Sequence, residues 1–106
     1  MELNIRKLTE SDYDLLSKWW IDWGWKPIEK DMLPENGTGG LIIEKAGKPI
    51  LAGFIFWTNA KFAMLDYIVS DKESSPKQRQ HCLESLIIFA EELSLIHISE
   101  HTRLRR

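Results

Sequence analysis

Apolar positions recur along this chain first at helical and then at strand spacing. Leu3, Ile5 and Leu8 mark a short opening strand over residues 2–8. Tyr13, Leu16, Trp19, Trp20 and Trp23 then follow a helical period and give one greasy face. Thr9 is placed to cap that helix, with Glu10 and Asp12 in the first turn, where the helix dipole favours acids. Gly24 and Pro27 stop it. A short helical turn over Ile28 to Leu33 ends at Pro34, and Asn36-Gly37-Thr38-Gly39-Gly40 is loop by composition.

From Leu41 the period is that of a strand. Leu41-Ile42-Ile43 leads to Ala46-Gly47, a hairpin turn, and Ile50 to Thr58 returns as a strand apolar on both faces. That pattern suits a central strand covered by helices on both sides. Asn59-Ala60-Lys61 predicts the next turn, and Phe62 to Val69 the next strand. Ser75-Pro76-Lys77-Gln78 opens a helix strongly: Ser75 as cap, Pro76 at the first helical position, Gln78 reaching back as in a capping box. Leu83, Leu86, Ile87, Ala90 and Leu93 form its expected buried stripe. The expected fold is α+β, a mixed or antiparallel sheet in the order strand, helix, short helix, three strands, helix.

Composition adds mainly exclusions. One hundred and six residues suit one domain with one core. A formal charge of −2 and a pI near 5.9 give no basic face for nucleic acid. The apolar run Ile50 to Trp57 is too short to cross a bilayer, and no signal segment opens the chain. Cys82, the single cysteine, rules out an internal disulfide and makes the cytoplasm the default address.

The order of elements, and the string Met64-Leu65-Asp66-Tyr67-Ile68-Val69-Ser70-Asp71 running into the Ser75 helix, resembles the first half of a GNAT-type N-acetyltransferase. The segment Trp19-Trp20-Ile21-Asp22-Trp23-Gly24-Trp25 and the strand from Gly53 to Asn59 are similar to small, phage-like members of that superfamily. The resemblance covers residues 1 to about 94 and implies the N-terminal half of an acyl-CoA N-acyltransferase-like fold. It also implies acetyl-CoA as co-substrate, an amine of unspecified identity as acceptor, and no metal.

By position, the resemblance puts the pantetheine arm on Tyr67, Ile68 and Val69, and the pyrophosphate on the loop from Lys72 to Arg79. Lys72, Lys77, Gln78 and Arg79 are side-chain donors there, at a helix start that favours anions. The superfamily's phosphate signature carries glycines; the aligned positions here hold Ser74, Lys77 and Arg79, so the backbone approaches a phosphate less freely. The alternative is that Ser75-Pro76 only caps a helix and the lysines are solvated. Asp66 stands where such enzymes often hold a carboxylate base. It is equally an ordinary outward-facing strand residue. Trp23 and Trp25 are expected to line the acceptor site, with Trp19 and Trp20 in the core. The same tryptophans would also suit a protein-binding patch, the mark of a non-catalytic module. His81 reads as a surface residue, and Cys82 as core rather than nucleophile.

The chain's last stretch, residues 95–106, resembles translated adapter read-through rather than evolved sequence. His97 and His101 within it are too few to hold zinc. The expected domain is therefore residues 1–94, a partial N-acetyltransferase-like unit followed by a non-native tail. A missing second half would leave the strand of Tyr67 to Val69 as a bare edge, open to self-association. On that expectation the chain has no turnover.

Overall fold

The computed structural model describes residues 3–57 and 63–104, with the final helix beyond Leu93 described by its backbone alone. Strand β1 (Leu3–Lys7) leads through a 3-10 turn (Glu10–Asp12) into helix α1 (Tyr13–Asp22). Two further 3-10 turns (Lys30–Met32 and Pro34–Gly37) precede strands β2 (Gly40–Lys45), β3 (Lys48–Trp57) and β4 (Ala63–Ser70), and helix α2 (Pro76–Leu104) follows. The four strands form one antiparallel meander in the order β1-β2-β3-β4. The fold is the expected α+β arrangement, with β4 at one edge.

The two helices cover opposite faces, which explains why β3 is apolar on both sides. Ala52 and Phe54 of β3 join Ile42, Val69 and the α1 residues Leu16, Trp19 and Trp20 in one core. Leu51 and Ile55 join Leu41, Ile43, Cys82 and Leu86 of α2 in the other. Neighbouring residues of a strand point to opposite faces, so one strand serves both cores. Gly40 makes this layering possible. A Cβ there would lie 2.2 Å from the Gly53 carbonyl oxygen, so no larger residue fits between β2 and β3.

Several local expectations are met. Ala46 and Gly47 both have positive φ in a two-residue hairpin turn, as a turn matched to strand twist requires. The Ser75 Oγ accepts the Gln78 amide at 3.1 Å and the Ser75 amide points back to Gln78 Oε1 at 3.4 Å, the reciprocal cap. Other details differ. Ile87 is 41% exposed, and Phe89 packs on the sheet instead, so the buried stripe of α2 runs through Cys82, Leu83, Leu86, Phe89 and Leu93. The helix itself spans Pro76–Leu104 and so continues past Leu93. The expected turn at Asn59 to Lys61 lies outside the described residues.

The start of α1 is held by a partly buried ion pair. Arg6 of β1 grips both carboxylate oxygens of Asp12 at 2.8 Å. Asp12 also accepts the Thr9 amide at 2.7 Å, closing the helix entrance. The Arg6 hydrogen bonds hold the Asp12 carboxyl at about 2, below its ordinary 3.8. Asp12 raises the Arg6 guanidinium in turn.

Candidate functional site

The end of α1 sets the site's geometry. Gly24, at φ +81°, turns the chain left-handed, its amide donating to the Ile21 carbonyl and the Trp25 amide to the Trp20 carbonyl. That pair of bonds is a Schellman motif, and only glycine adopts its central conformation without strain. The sharp turn places two tryptophans on the same side. Trp23 and Trp25 stack with centroids 6.2 Å apart and planes 23° from parallel.

The strand facing them is irregular. Phe54 pairs with Asp66 and Ala52 with Val69, so the single residue Gly53 opposes both Tyr67 and Ile68. This is a β-bulge, and Tyr67 takes its left-handed position at φ +51°. A tyrosine there costs about 1–3 kcal/mol of backbone strain. The ring packs edge-on against Phe56 at 5.7 Å, and the Tyr67 amide donates to the Asp66 carboxylate at 2.7 Å.

Beyond the bulge the outward backbone groups can be deduced. The Asp71 amide donates inward to the Ile50 carbonyl at 2.8 Å. Strand residues alternate in the direction of their backbone groups, so Ser70 presents its own away from β3. The Ser70 carbonyl is taken by the Trp23 indole N–H at 2.9 Å. That leaves the N–H of Ser70 facing outward at the sheet edge, just beyond the bulge residue Ile68.

Between the two helices, at this edge, lies an open cleft of about 350 Å³. Its floor is Leu51, Ile68, Val69 and Leu83, and its walls are Trp23 and Trp25 on one side and Pro76 and Arg79 on the other. Its size falls at the lower end of the range for small-molecule sites. Lys72 and Arg79 stand at its mouth, each over the Trp23 ring, with charge centres 5.5 and 5.4 Å from the centroid. The chain folds back here because Asp71 organises the loop, accepting the Glu73 amide at its side chain and the Ser74 amide at its carbonyl.

The expected site residues therefore divide. Trp23, Trp25, Ile68, Val69 and Arg79 meet in the cleft. Lys72 reaches its mouth through Trp23 and donates to the Asp22 carbonyl at 3.2 Å. Asp66 and Tyr67 sit in the bulge, beside the cleft rather than in its wall. Gln78 is engaged in the helix cap, and Lys77 is exposed on the first turn. The amides of Glu73, Ser74, Ser75 and Gln78 all have partners inside the loop and cap, and Pro76 has none to offer. Backbone donors for a phosphate thus reduce to those of Lys72 and Lys77. No protein-family model matches this chain, and no curated protein matches its sequence. Function rests on the geometry.

Sequence patterns missed Ser70, Leu51 and Leu83 as parts of this site. Strand alternation would have suggested Ser70 only with the register known. A larger cavity of about 480 Å³ lies toward β1, lined by Ile5, Leu41, Ile55, Phe89 and Leu93. Its rim charges are already paired, Lys7 with Glu35 at 3.3 Å and Arg6 with Asp12. It lacks the uncompensated cations of the cleft, which is the better candidate. Cys82 is buried, and desolvation pushes its thiol up, away from a reactive thiolate. Among the described residues no cluster could hold a metal ion, and no helix is long and apolar enough to cross a membrane.

Proposed function

We propose that the cleft is the acyl-CoA site of a GNAT-type N-acetyltransferase, a protein that moves the acetyl group of acetyl-CoA to an amine. One observation carries this: the bulged edge strand β4 lines the cleft with Ile68, Val69 and Ser70, so its backbone groups border the space. An extended arm bearing amides, such as pantetheine, pairs with those groups as another strand would. Leu51, Val69 and Leu83 give its methylenes an apolar bed. Arg79, Lys72 and Lys77 put three positive charges near the end where the phosphates would lie.

In the reaction the amine nitrogen attacks the thioester carbonyl carbon, the C–S bond breaks, and coenzyme A leaves as thiolate. The attacking nitrogen gives up a proton, and Asp66 is the proposed base. Trp23 and Trp25 would flank the acceptor. The leaving thiolate needs an acid, and neither tyrosine lines the cleft: the Tyr13 hydroxyl donates to the Ile28 carbonyl at 2.7 Å, and Tyr67 packs its ring on Phe56. The expected behaviour is cofactor binding without turnover, in a cytoplasmic protein whose lone thiol suits a reducing compartment.

Calorimetric titration of acetyl-CoA into the folded chain tests this. Saturable binding that weakens in Lys77→Ala/Arg79→Ala supports the site; a folded chain that ignores acetyl-CoA refutes it. A second proposal, a non-catalytic module for a protein partner, is favoured by Ile21 and Trp25, exposed at 60% and 53%. The double variant would leave that contact unchanged.

A further inference from the structure

We propose that Trp23 is the positioning residue of the cleft, holding Lys72 and Arg79 at its mouth. The charge offered to an anionic ligand is then governed by the end of α1 rather than by the loop and the first turns of α2 that carry the cations. This builds on the cofactor site proposed above only in where the ligand enters.

Trp23 touches three elements at once. Its indole N–H holds the Ser70 carbonyl at the β4 edge, its ring stacks with Trp25, and the cations of the loop and of α2 lie over it. Neither Lys72 nor Arg79 has a carboxylate partner among the described residues. Their other contacts are backbone carbonyls. Arg79 Nη1 donates to Lys72 and Ser74, and Lys72 Nζ to Asp22, the residue before Trp23.

Lys72 and Arg79 each lie within 5.5 Å of the Trp23 centroid, and like charges drawn to one ring repel rather than hold each other. The electron-rich indole face attracts both, and among the described residues it is the side chain over which both lie. Its N–H bond to Ser70 prevents the ring from rotating away. Removing the ring takes away the shared surface and loosens the Asp22 contact beside it. Arg79 retains only its own loop carbonyls. The cations then disperse, while the apolar floor and the Ile68 edge remain.

The first test uses ligand-free protein. In ¹⁵N-labelled wild type the Arg79 Nε–H signal should be dispersed and the Ser74 amide protected from exchange. Trp23→Leu should shift the Arg79 signal toward, but not onto, the free-arginine position, because its bonds to the Lys72 and Ser74 carbonyls remain, and should speed Ser74 exchange at least tenfold. An unchanged Arg79 signal and unchanged exchange in Trp23→Leu would overturn the proposal, whatever the chain binds. Should that variant fail to fold by circular dichroism, Trp23→Phe decides. It keeps an aromatic face without the N–H, so faster Ser70–Glu73 exchange is expected and no change is disproof.

The second test compares coenzyme A with pantetheine, which lacks the phosphates. Trp23→Leu should weaken coenzyme A at least tenfold and leave pantetheine within twofold. Equal losses for both would mean a simple wall contact and sink the positioning role. Wild-type silence toward both ligands would remove the cofactor site, and the ligand-free measurement would still decide the role of Trp23.

Discussion

Acidification should strip this fold of one identifiable interaction, the Arg6–Asp12 pair. Asp12 titrates at about 2 in the folded chain against an ordinary 3.8, chiefly because Arg6 binds both of its oxygens. A depressed folded value means the stabilisation is fully present above pH ~4 and is lost as pH falls toward ~2. The difference between the two values corresponds to about 2 kcal/mol. The Arg6 side chain is 34% exposed, so solvent screens part of that, and about 1–2 kcal/mol is the expected contribution. Urea melts of wild type and Asp12→Asn at pH 7, 4.5, 3 and 2 measure it. The variant should be less stable by that amount at neutral pH, and the gap should shrink to roughly a few tenths of a kcal/mol at pH 2, where folded Asp12 is half protonated. Carboxylates remote from Arg6 cancel in the difference; among the described residues Glu44, 3.5 Å from Arg6 Nε, is the one near enough to respond, so an added Glu44→Gln background separates its part. A gap that stays constant from pH 7 to pH 2 would show that the charge of Asp12 contributes nothing and that the loss is steric.

Leu86 is fully buried under the sheet, so Leu86→Ala should cost about 2–5 kcal/mol in the same melts; a loss under half a kcal/mol would mean α2 does not dock as described. Gly24→Ala should cost about 1–2 kcal/mol through its left-handed backbone, and should turn Trp25 off Trp23, visible as loss of exciton signal in near-UV dichroism. Cys82 should react with a thiol reagent far more slowly in native than in urea-unfolded protein; equal rates would place it at the surface. The exposed β4 edge should drive concentration-dependent association by size-exclusion chromatography, and a monomer at all concentrations would contradict it.

What could be anticipated from residues alone was mostly local. The Ser75–Gln78 cap, the Ala46–Gly47 turn and the Leu16–Trp19–Trp20 face depend on neighbours a few positions away, and the structure keeps each of them. The two-sided apolar character of β3 correctly implied helices on both faces. Ile87 failed as a core position because Cys82, Leu86, Phe89 and Leu93, spaced four, three and four apart, form the row that meets the sheet, and Ile87 lies off that row. Asp66 stood out as an acid in an apolar strand. Its carboxylate holds the amide of a bulge that no local signal announced.

The site itself belongs to tertiary structure. Trp23 meets Ser70 across 47 residues of sequence, and Lys72 meets Asp22 across 50. Such pairings depend on strand register and helix placement, which spacing along the chain does not encode. Sequence by itself determined which segments are helix and strand and that the strands needed cover on both sides, because periodicity and caps act over one or two turns. Only the folded arrangement decided that the bulged edge of β4, the tryptophans after α1 and the cations before α2 share one cleft, because long-range packing alone brings those three ends together.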